Sequence, residues 1–204
     1  MSSDAPYQSF DVQHFERWSH DYEASWMQRR VFDPVHSAAL AAGAPLPAPA
    51  VILDAGCGTG RLLRATAQRW PYAQLIGVDP AEGMVETARR LTPGAMFYRS
   101  LAETLPLPDA SVDLVFSTMS FHHWHDQQAG AREIARVLRP GGHFILADVA
   151  PPQFLTLLRF TRGARSIPTR RRILQAAGLR VEREQAVKLR GAPVSMIAVT
   201  VAAR

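Results

Sequence analysis

The sequence predicts an α/β fold: a mostly parallel sheet of seven strands, doubly wound by helices and finished by an antiparallel C-terminal strand pair. Three observations carry that prediction. From Ala50 onward, short apolar runs alternate with helical patterns, as in consecutive βαβ units. The first of these runs breaks into glycines just before a helix, the usual entry to a parallel sheet. The last two runs are joined by a connection too short for a crossover helix, so they pair antiparallel.

Each element can be justified in turn. The first forty residues read as helix, because Phe10, His14, Phe15 and Trp18 recur at helical spacing and Tyr22, Trp26 and Met27 continue the stripe. Residues 41–49 (AAGAPLPAP) read as a connector, since prolines at 45, 47 and 49 cannot support a helix. Strand one is expected at 51–54, a helix at 61–69, strand two at 74–78 and a helix at 81–91. A third strand falls near 95–98, and a fourth at 112–117 follows the Leu105-Pro106-Leu107-Pro108 loop. A helix over 129–138 is expected to stop at Arg139-Pro140-Gly141-Gly142, which opens a fifth strand at 143–149. A late helix at 169–177 is closed by Gly178, and the final strands lie near 181–186 and 194–201.

Composition narrows the class. At 204 residues, 47% of them hydrophobic, the chain can bury a sizeable core and is expected to form one domain. No apolar run approaches the ~18 residues of a membrane span. The first residues lack the basic start and apolar stretch of a secretory signal, and one cysteine, Cys57, allows no intrachain disulfide. A cytoplasmic protein is the expectation. The net charge of +5 hides an asymmetry: residues 1–154 carry a net −4 and residues 155–204 a net +9, nearly all of it arginine. Such a tail can meet an anionic substrate or RNA, or form a solvated face.

The stretch VILDAGCGTG (51–60) and Asp79, at the end of the next apolar run, carry the functional signal. Gly56, Gly58 and Gly60 permit positive φ and strip side chains away, so a ligand can lie against the main chain. Asp79 is placed to accept hydrogen bonds from two ribose hydroxyls. A dinucleotide fingerprint requires its third glycine at position 61, where this chain has Arg61. Asp54 would also repel a pyrophosphate, whereas it suits an ammonium group. Together these residues point to S-adenosyl-L-methionine.

Residues 51–149 resemble the class I S-adenosylmethionine-dependent methyltransferases, in particular the methyltransferase-11 group with its ubiquinone/menaquinone C-methyltransferases and small-molecule natural-product enzymes. The resemblance rests on LDAGCGTG (53–60), GVDP (77–80), AETLPLPDASVDLVFS (102–117), FHHW (121–124) and EIARVLRPGGHFIL (133–146). It implies a Rossmann-like fold in which 1–40 form a helical lid, 50–150 the cofactor-binding core, and 151–204 the substrate-side segment and terminal strands. It also implies that Gly56, Cys57, Gly58 and Gly60 pass under the methionine portion, that Asp54 orients its amino group and that Asp79 grips the ribose. Pro80 and Met84 would pack near the adenine, backbone at Ala102 would meet its edge, and Ser117 would line the floor beneath the methyl group. Cys57 reads as small filler in the turn. Tyr22, in the loosely family-like YEASW (22–26), would reach the methionine carboxylate or the acceptor. The group often has an Asp before Ala102; this chain has Leu101, which shifts adenine recognition to backbone or to Glu103.

Methyl transfer needs alignment and water exclusion more than a strong catalytic group. If a general base acts, the histidines after strand four are the candidates, with His122 first among His122, His123 and His125. No metal site is expected, because adjacent histidines rarely converge and no carboxylate or cysteine joins them. Phe154, Leu155, Leu157, Leu158 and Phe160, flanked by Arg159, Arg162 and Arg165, suggest a small, partly apolar, anionic acceptor. Two alternatives stand beside this reading: an RNA methyltransferase using the basic segment, and a cofactor-binding partner protein without catalysis. The oligomeric state is not legible.

Overall fold

The computed structural model describes Tyr7, residues 9–150, 163–187 and 195–203. Within them the elements are α1 (Phe10–Trp18), a π-helical turn (Gln28–Phe32), α2 (Asp33–Gly43), β1 (Val51–Ala55), α3 (Arg61–Arg69), β2 (Gln74–Asp79), α4 (Glu82–Leu91) and β3 (Met96–Arg99). They continue with β4 (Val112–Thr118), a 3-10 turn (Phe121–His123), α5 (Gln127–Val137), β5 (Leu138–Ala150), α6 (Ile167–Ala176), β6 (Leu179–Val187) and β7 (Ser195–Ala203). The substrate-side residues Phe154, Leu155, Leu157, Leu158, Arg159, Phe160 and Arg162 lie outside the described residues.

The sheet runs in the order β3-β2-β1-β4-β5-β7-β6. Pairings from β3 through β5 are parallel, and β7 enters antiparallel between β5 and β6. The order reverses between β2-β1 and β4, which opens a crevice at the carboxyl ends of β1 and β4. Alternation along the strands builds two cores. Leu53, Val115, Phe144 and Leu146 pack with Ile134 and Val137 of α5 and Leu174 of α6. Ile52, Leu114, Phe116 and Ile145 pack with Val35 and Ala39 of α2, Leu62 and Leu63 of α3, and Val85 and Ala88 of α4. Helices therefore cover both faces, which places every strand of the parallel part in apolar surroundings.

Three expectations need correction. The first forty residues are not one helical run. Ser9 caps α1 by accepting from the Val12 N–H, α1 stops at Trp18, and turns carry the chain from Ser19 to Ala24 before helix resumes. The break is held by side chains bonding to backbone: Ser19 Oγ donates to Glu16 O (2.8 Å), and Gln28 Nε2 to Tyr22 O (3.0 Å). α5 starts two residues earlier than expected, because the Asp126 carboxylate accepts from the N–H groups of Gln128 and Ala129. β5 begins at Leu138, before the glycines. Leu138 pairs with Val112 and His143 with Leu114, so residues 139–142 form an irregular excursion within the strand. Among the described residues, no helix is long and apolar enough to cross a membrane.

Candidate active site

β1 and β2 end side by side, and their last residues build the site. The N–H groups of Gly56 and Cys57 both donate to Val78 O (2.7 and 3.0 Å), pinning the glycine turn to the end of β2. The Asp79 carboxylate then accepts from Gly58 N–H on Oδ2 (2.9 Å) and from Ala81 N–H on Oδ1 (3.0 Å). Each oxygen is anchored by one amide and keeps lone-pair capacity for a ligand. Burial pushes the Asp79 carboxyl up to about 6, against the pull of those two amides. Asp54 is deeper, 1% exposed, and burial with the neighbouring Asp79 charge pushes it up to about 8. Its Oδ1 is buried without a hydrogen-bond partner among the described residues. A buried acceptor in that condition is a vacancy for a donor.

The three glycines do different jobs. Gly58, at φ +51°, turns an open face to the cleft; an added Cβ there would meet only Tyr22, at 3.8 Å. Gly56, at φ +81°, admits Ser120, whose Oγ would lie 1.7 Å from such a Cβ. Gly60, at φ +75°, precedes α3 and faces Phe97, Thr92 and Ala88 at 3.1–3.3 Å, so it serves packing instead of the cleft. Cys57 fits the filler reading: it is buried, its Sγ would lie 2.8 Å from a Cβ at Gly77, and burial holds its thiol well above the usual range.

Of the expected residues, Tyr22, Gly56, Gly58, Asp79, Pro80, Met84, Ala102 and Glu103 line a single open cleft. Asp54, Cys57, Gly60, Ser117 and His122 do not line it. Ser117 is wholly buried with its Oγ unpartnered among the described residues, while the next residues, Thr118, Met119 and Ser120, reach the cleft instead. Met119 has φ +54°, an uncommon conformation for a side chain of its size, at the point where β4 leaves the sheet. Glu103 is partly committed, because its Oε1 accepts from Asp126 N–H (2.9 Å).

The histidine loop has two sides. His123 and His125 line the cleft, and His123 Nδ1 lies 3.3 Å from Asp11 Oδ2 of α1. Burial, helped by the adjacent His122, pulls the His123 imidazolium below its ordinary range. His122 turns the other way, onto Asp148 of β5: its ring Nδ1 is 2.6 Å from Asp148 Oδ1 and its N–H donates to Oδ2 (2.8 Å). Burial alone would raise Asp148, but His122, Arg170 and the Val149 N–H outweigh it and hold the carboxyl below the usual range. A carboxylate at Nδ1 favours the proton there, which leaves Nε2 as an acceptor. Among the described residues, no group of three or more His, Cys, Asp or Glu is placed to hold a metal ion.

Sequence reasoning missed the group that carries Tyr22 to the turn. Glu23 accepts from Thr59 Oγ1 (2.5 Å), Arg64 Nη2 (2.7 Å) and Arg61 Nη1 (2.9 Å). Arg61 also pairs with Asp33 at the start of α2 (2.7 Å). Tyr22 packs edge-on against Trp18, with ring centroids 4.7 Å apart. The signal was present in two places: an acid beside Tyr22, and two arginines in the first turn of α3, where a helix dipole does not favour them.

Residues 53–146 match the methyltransferase domain family. The chain is 39% identical over 143 residues to a malonyl-acyl-carrier-protein O-methyltransferase from Dechloromonas aromatica, covering 70% of this chain and 51% of that one. It is 35% identical over 109 residues to a demethylmenaquinone methyltransferase from Thermus thermophilus, covering 52% and 50%. The chain spans about half the length of the curated relatives it matches. A solved Burkholderia thailandensis N-methyltransferase, bound to S-adenosylhomocysteine, shares the fold with a TM-score of 0.77 at 20% identity, covering 100% of this chain and 91% of that one. The match over 53–146, on a sheet whose glycine turn meets an acid at the end of β2, makes this stretch similar to the methyltransferase domain family.

Proposed function

We propose that this protein transfers the methyl group of S-adenosyl-L-methionine to a small-molecule acceptor by in-line displacement. The observation that carries the proposal is Asp79, fixed by two amides in the same cleft to which Gly58 turns a bare backbone. The residues fit the cofactor. Asp79 keeps acceptor capacity for a ribose diol, Asp54 has a free buried Oδ1 for an ammonium group, and Pro80, Met84 and Ala102 offer apolar surface for a base. When bound, the cofactor supplies a methyl already activated by a sulfonium charge. The protein's part is alignment, and orienting two reactants is worth roughly 7–11 kcal/mol of barrier.

Tyr22, with Phe15 and Trp18 of α1 packed beside it, covers the glycine turn and excludes water from it. Where the acceptor must lose a proton, His123 and His125, which line the cleft, are placed to take it, whereas His122 is turned onto Asp148 and does not reach the cleft. A partly apolar acceptor with a negative charge fits the relatives, one of which is named for malonyl-acyl-carrier protein and another for demethylmenaquinone. An RNA acceptor is not favoured: Arg171 and Arg180 of the basic segment are taken by Glu184 and Glu182.

The test is titration calorimetry with S-adenosylhomocysteine and, separately, with a reduced nicotinamide dinucleotide. The proposal expects binding of the first alone, weakened in Asp79→Ala by about 1.5–3 kcal/mol, as for hydrogen bonds to a charged group. Equal affinity of the variant, or preference for the dinucleotide, would refute it. Binding without transfer to any acceptor in a broad panel would point instead to a non-catalytic partner protein.

A further inference from the structure

One histidine of the cleft is gripped by two elements far apart in the sequence. His123 lies in the 3-10 turn after β4, and its Nδ1 is 3.3 Å from Asp11 Oδ2 of α1. Four residues along the same face of α1, the Phe15 ring meets the His123 ring edge-on, with centroids 5.0 Å apart. The His122 ring lies against it as well, at 3.9 Å between centroids. Asp11, Phe15 and His123 all line the cleft.

The pairing with Asp11 is incomplete. His123 Nδ1 is buried, and at 3.3 Å it lacks the alignment of a hydrogen bond to the carboxylate. A buried ring nitrogen in that condition gains from any shift that brings the carboxylate into line, and catalytic bonds tighten as reactants assemble. The element that would shift, α1, is tied to the cofactor side of the cleft. Glu16 Oε1 accepts from Gly83 N–H (2.9 Å) in the first turn of α4, beside Met84.

A base must be uncharged and must present the right nitrogen. Burial and the adjacent His122, against the pull of Asp11 and Asp148, hold the His123 imidazolium below its ordinary range, so the ring is neutral at neutral pH. A neutral imidazole carries one proton, and the other nitrogen is the acceptor. A carboxylate at Nδ1 keeps the proton there and leaves Nε2, at the far side of the ring, to the cleft. Among the described residues, no carboxylate lies within ion-pair distance of His125.

We propose that Asp11 is the positioning residue for proton removal: with α1 seated, its carboxylate fixes the His123 proton on Nδ1, so that Nε2 takes the proton of the methyl acceptor. The inference rests on the methyltransferase reading above and chooses His123 over His125. The acceptor's O–H or N–H proton passes to Nε2, its electron pair forms the bond to the methyl carbon, and the pair of the broken carbon–sulfur bond returns to sulfur. Asp11 faces the imidazolium so formed, which then gives its extra proton to water. Proton removal is thereby linked to closure of the N-terminal segment over the cleft.

Asp11 also stands in the first turn of α1, where any carboxylate favours the helix, so the test must separate that role from this one. It is long-range proton–nitrogen NMR on the full chain with isotope-labelled histidine, at neutral pH, with and without S-adenosylhomocysteine. The His123 signals are those that vanish in His123→Gln. In the wild type the proton should sit on Nδ1, and more completely once S-adenosylhomocysteine is added. Asp11→Ala should move it to Nε2, the site that a free histidine side chain favours, and leave the His122 signals in place. Ser9→Ala, which removes the cap on Val12 N–H and keeps the carboxylate, should leave the proton on Nδ1. A wild-type proton on Nε2, a proton that stays on Nδ1 in Asp11→Ala, or an equal shift in Ser9→Ala would overturn the inference. Bound S-adenosylhomocysteine that leaves the distribution unchanged would overturn the link to closure. A proton held on Nδ1 by Asp11 in a protein that binds no S-adenosylhomocysteine would sink the cofactor reading and leave the pairing standing.

Discussion

Asp54 carries the most unusual electrostatics of any group in the cleft region. Its folded carboxyl is raised from an ordinary 3.8 to about 8, so between those values the folded state holds a proton that the unfolded state has released. Asp54 therefore costs the ligand-free fold increasing stability as pH rises through that window. Asp54→Asn should raise the melting temperature relative to wild type by a margin that grows from about pH 4 to about pH 8, followed by thermal denaturation. A margin that is flat or shrinks with pH would contradict the assignment. An ammonium group needs Asp54 ionised, so the affinity for S-adenosylhomocysteine should climb over the same window in wild type and not in the variant.

Gly58 offers a second test at this scale. A Cβ there meets nothing closer than 3.8 Å, so Gly58→Ala should cost only the price of a positive φ, about 1 kcal/mol. Cofactor affinity should fall at least tenfold, because the methyl fills the bare surface; calorimetry and denaturant melts on one preparation separate the two effects. His123 is the remaining residue test. His123→Ala should slow turnover at saturating cofactor for a hydroxyl acceptor by the 10²–10⁴-fold typical of general bases, whereas His122→Ala, which removes a ring outside the cleft, should not.

Among the elements, the break between α1 and the π-helical turn governs how the N-terminal segment meets the core. Glu23 joins it to Thr59, Arg61 and Arg64, and Asp33 adds a second tie through Arg61. Single exposed ion pairs contribute little, but this carboxylate is about 70% shielded and bonds three donors. Glu23→Gln should weaken S-adenosylhomocysteine binding by about 1–2 kcal/mol by freeing Tyr22 from the turn. Stopped-flow binding should show this chiefly in a faster dissociation rate; an unchanged rate would mean that Tyr22 is held by its aromatic neighbours alone.

What was legible in the sequence also divides by element. α3 was readable to the residue, because Gly60 and Trp70 bound a clean amphipathic pattern. The strands were readable as apolar runs, with ends displaced by a residue or more. The N-terminal break was not readable, because the side-chain bonds of Ser19 and Gln28 to backbone leave no mark on the apolar periodicity, and the ion pairs that tie the segment to α3 span 28 to 41 residues. The site shows the same division. Gly58 and Asp79, expected from the glycine run and the end of the next apolar run, and Met84, expected from the resemblance, all line the cleft, whereas the His122–Asp148 pair, 26 residues apart, depends on β4 and β5 lying side by side.

For the whole molecule, the sheet order leaves the carboxyl ends of β1, β2 and β4 converging on one crevice, with α2 through α4 on one face and α5 and α6 on the other. The scaffold holds the acids and the glycine turn rigidly, while the N-terminal segment rests on them through polar contacts. Hydrogen exchange should accordingly protect β1, β4 and β5 most and α1 least, with protection of residues 9–23 rising when S-adenosylhomocysteine is added. Uniform protection indifferent to ligand would mean that this segment is part of the core and not a cover.

The account stands most directly on where the cofactor sits, and a crystal structure with S-adenosylhomocysteine measures that. Its ribose hydroxyls should lie within hydrogen-bond distance of Asp79, its amino group should meet Asp54 Oδ1, and Gly58 should run beneath its amino-acid portion. A ligand bound elsewhere, or one that leaves both carboxylates untouched, would contradict the account.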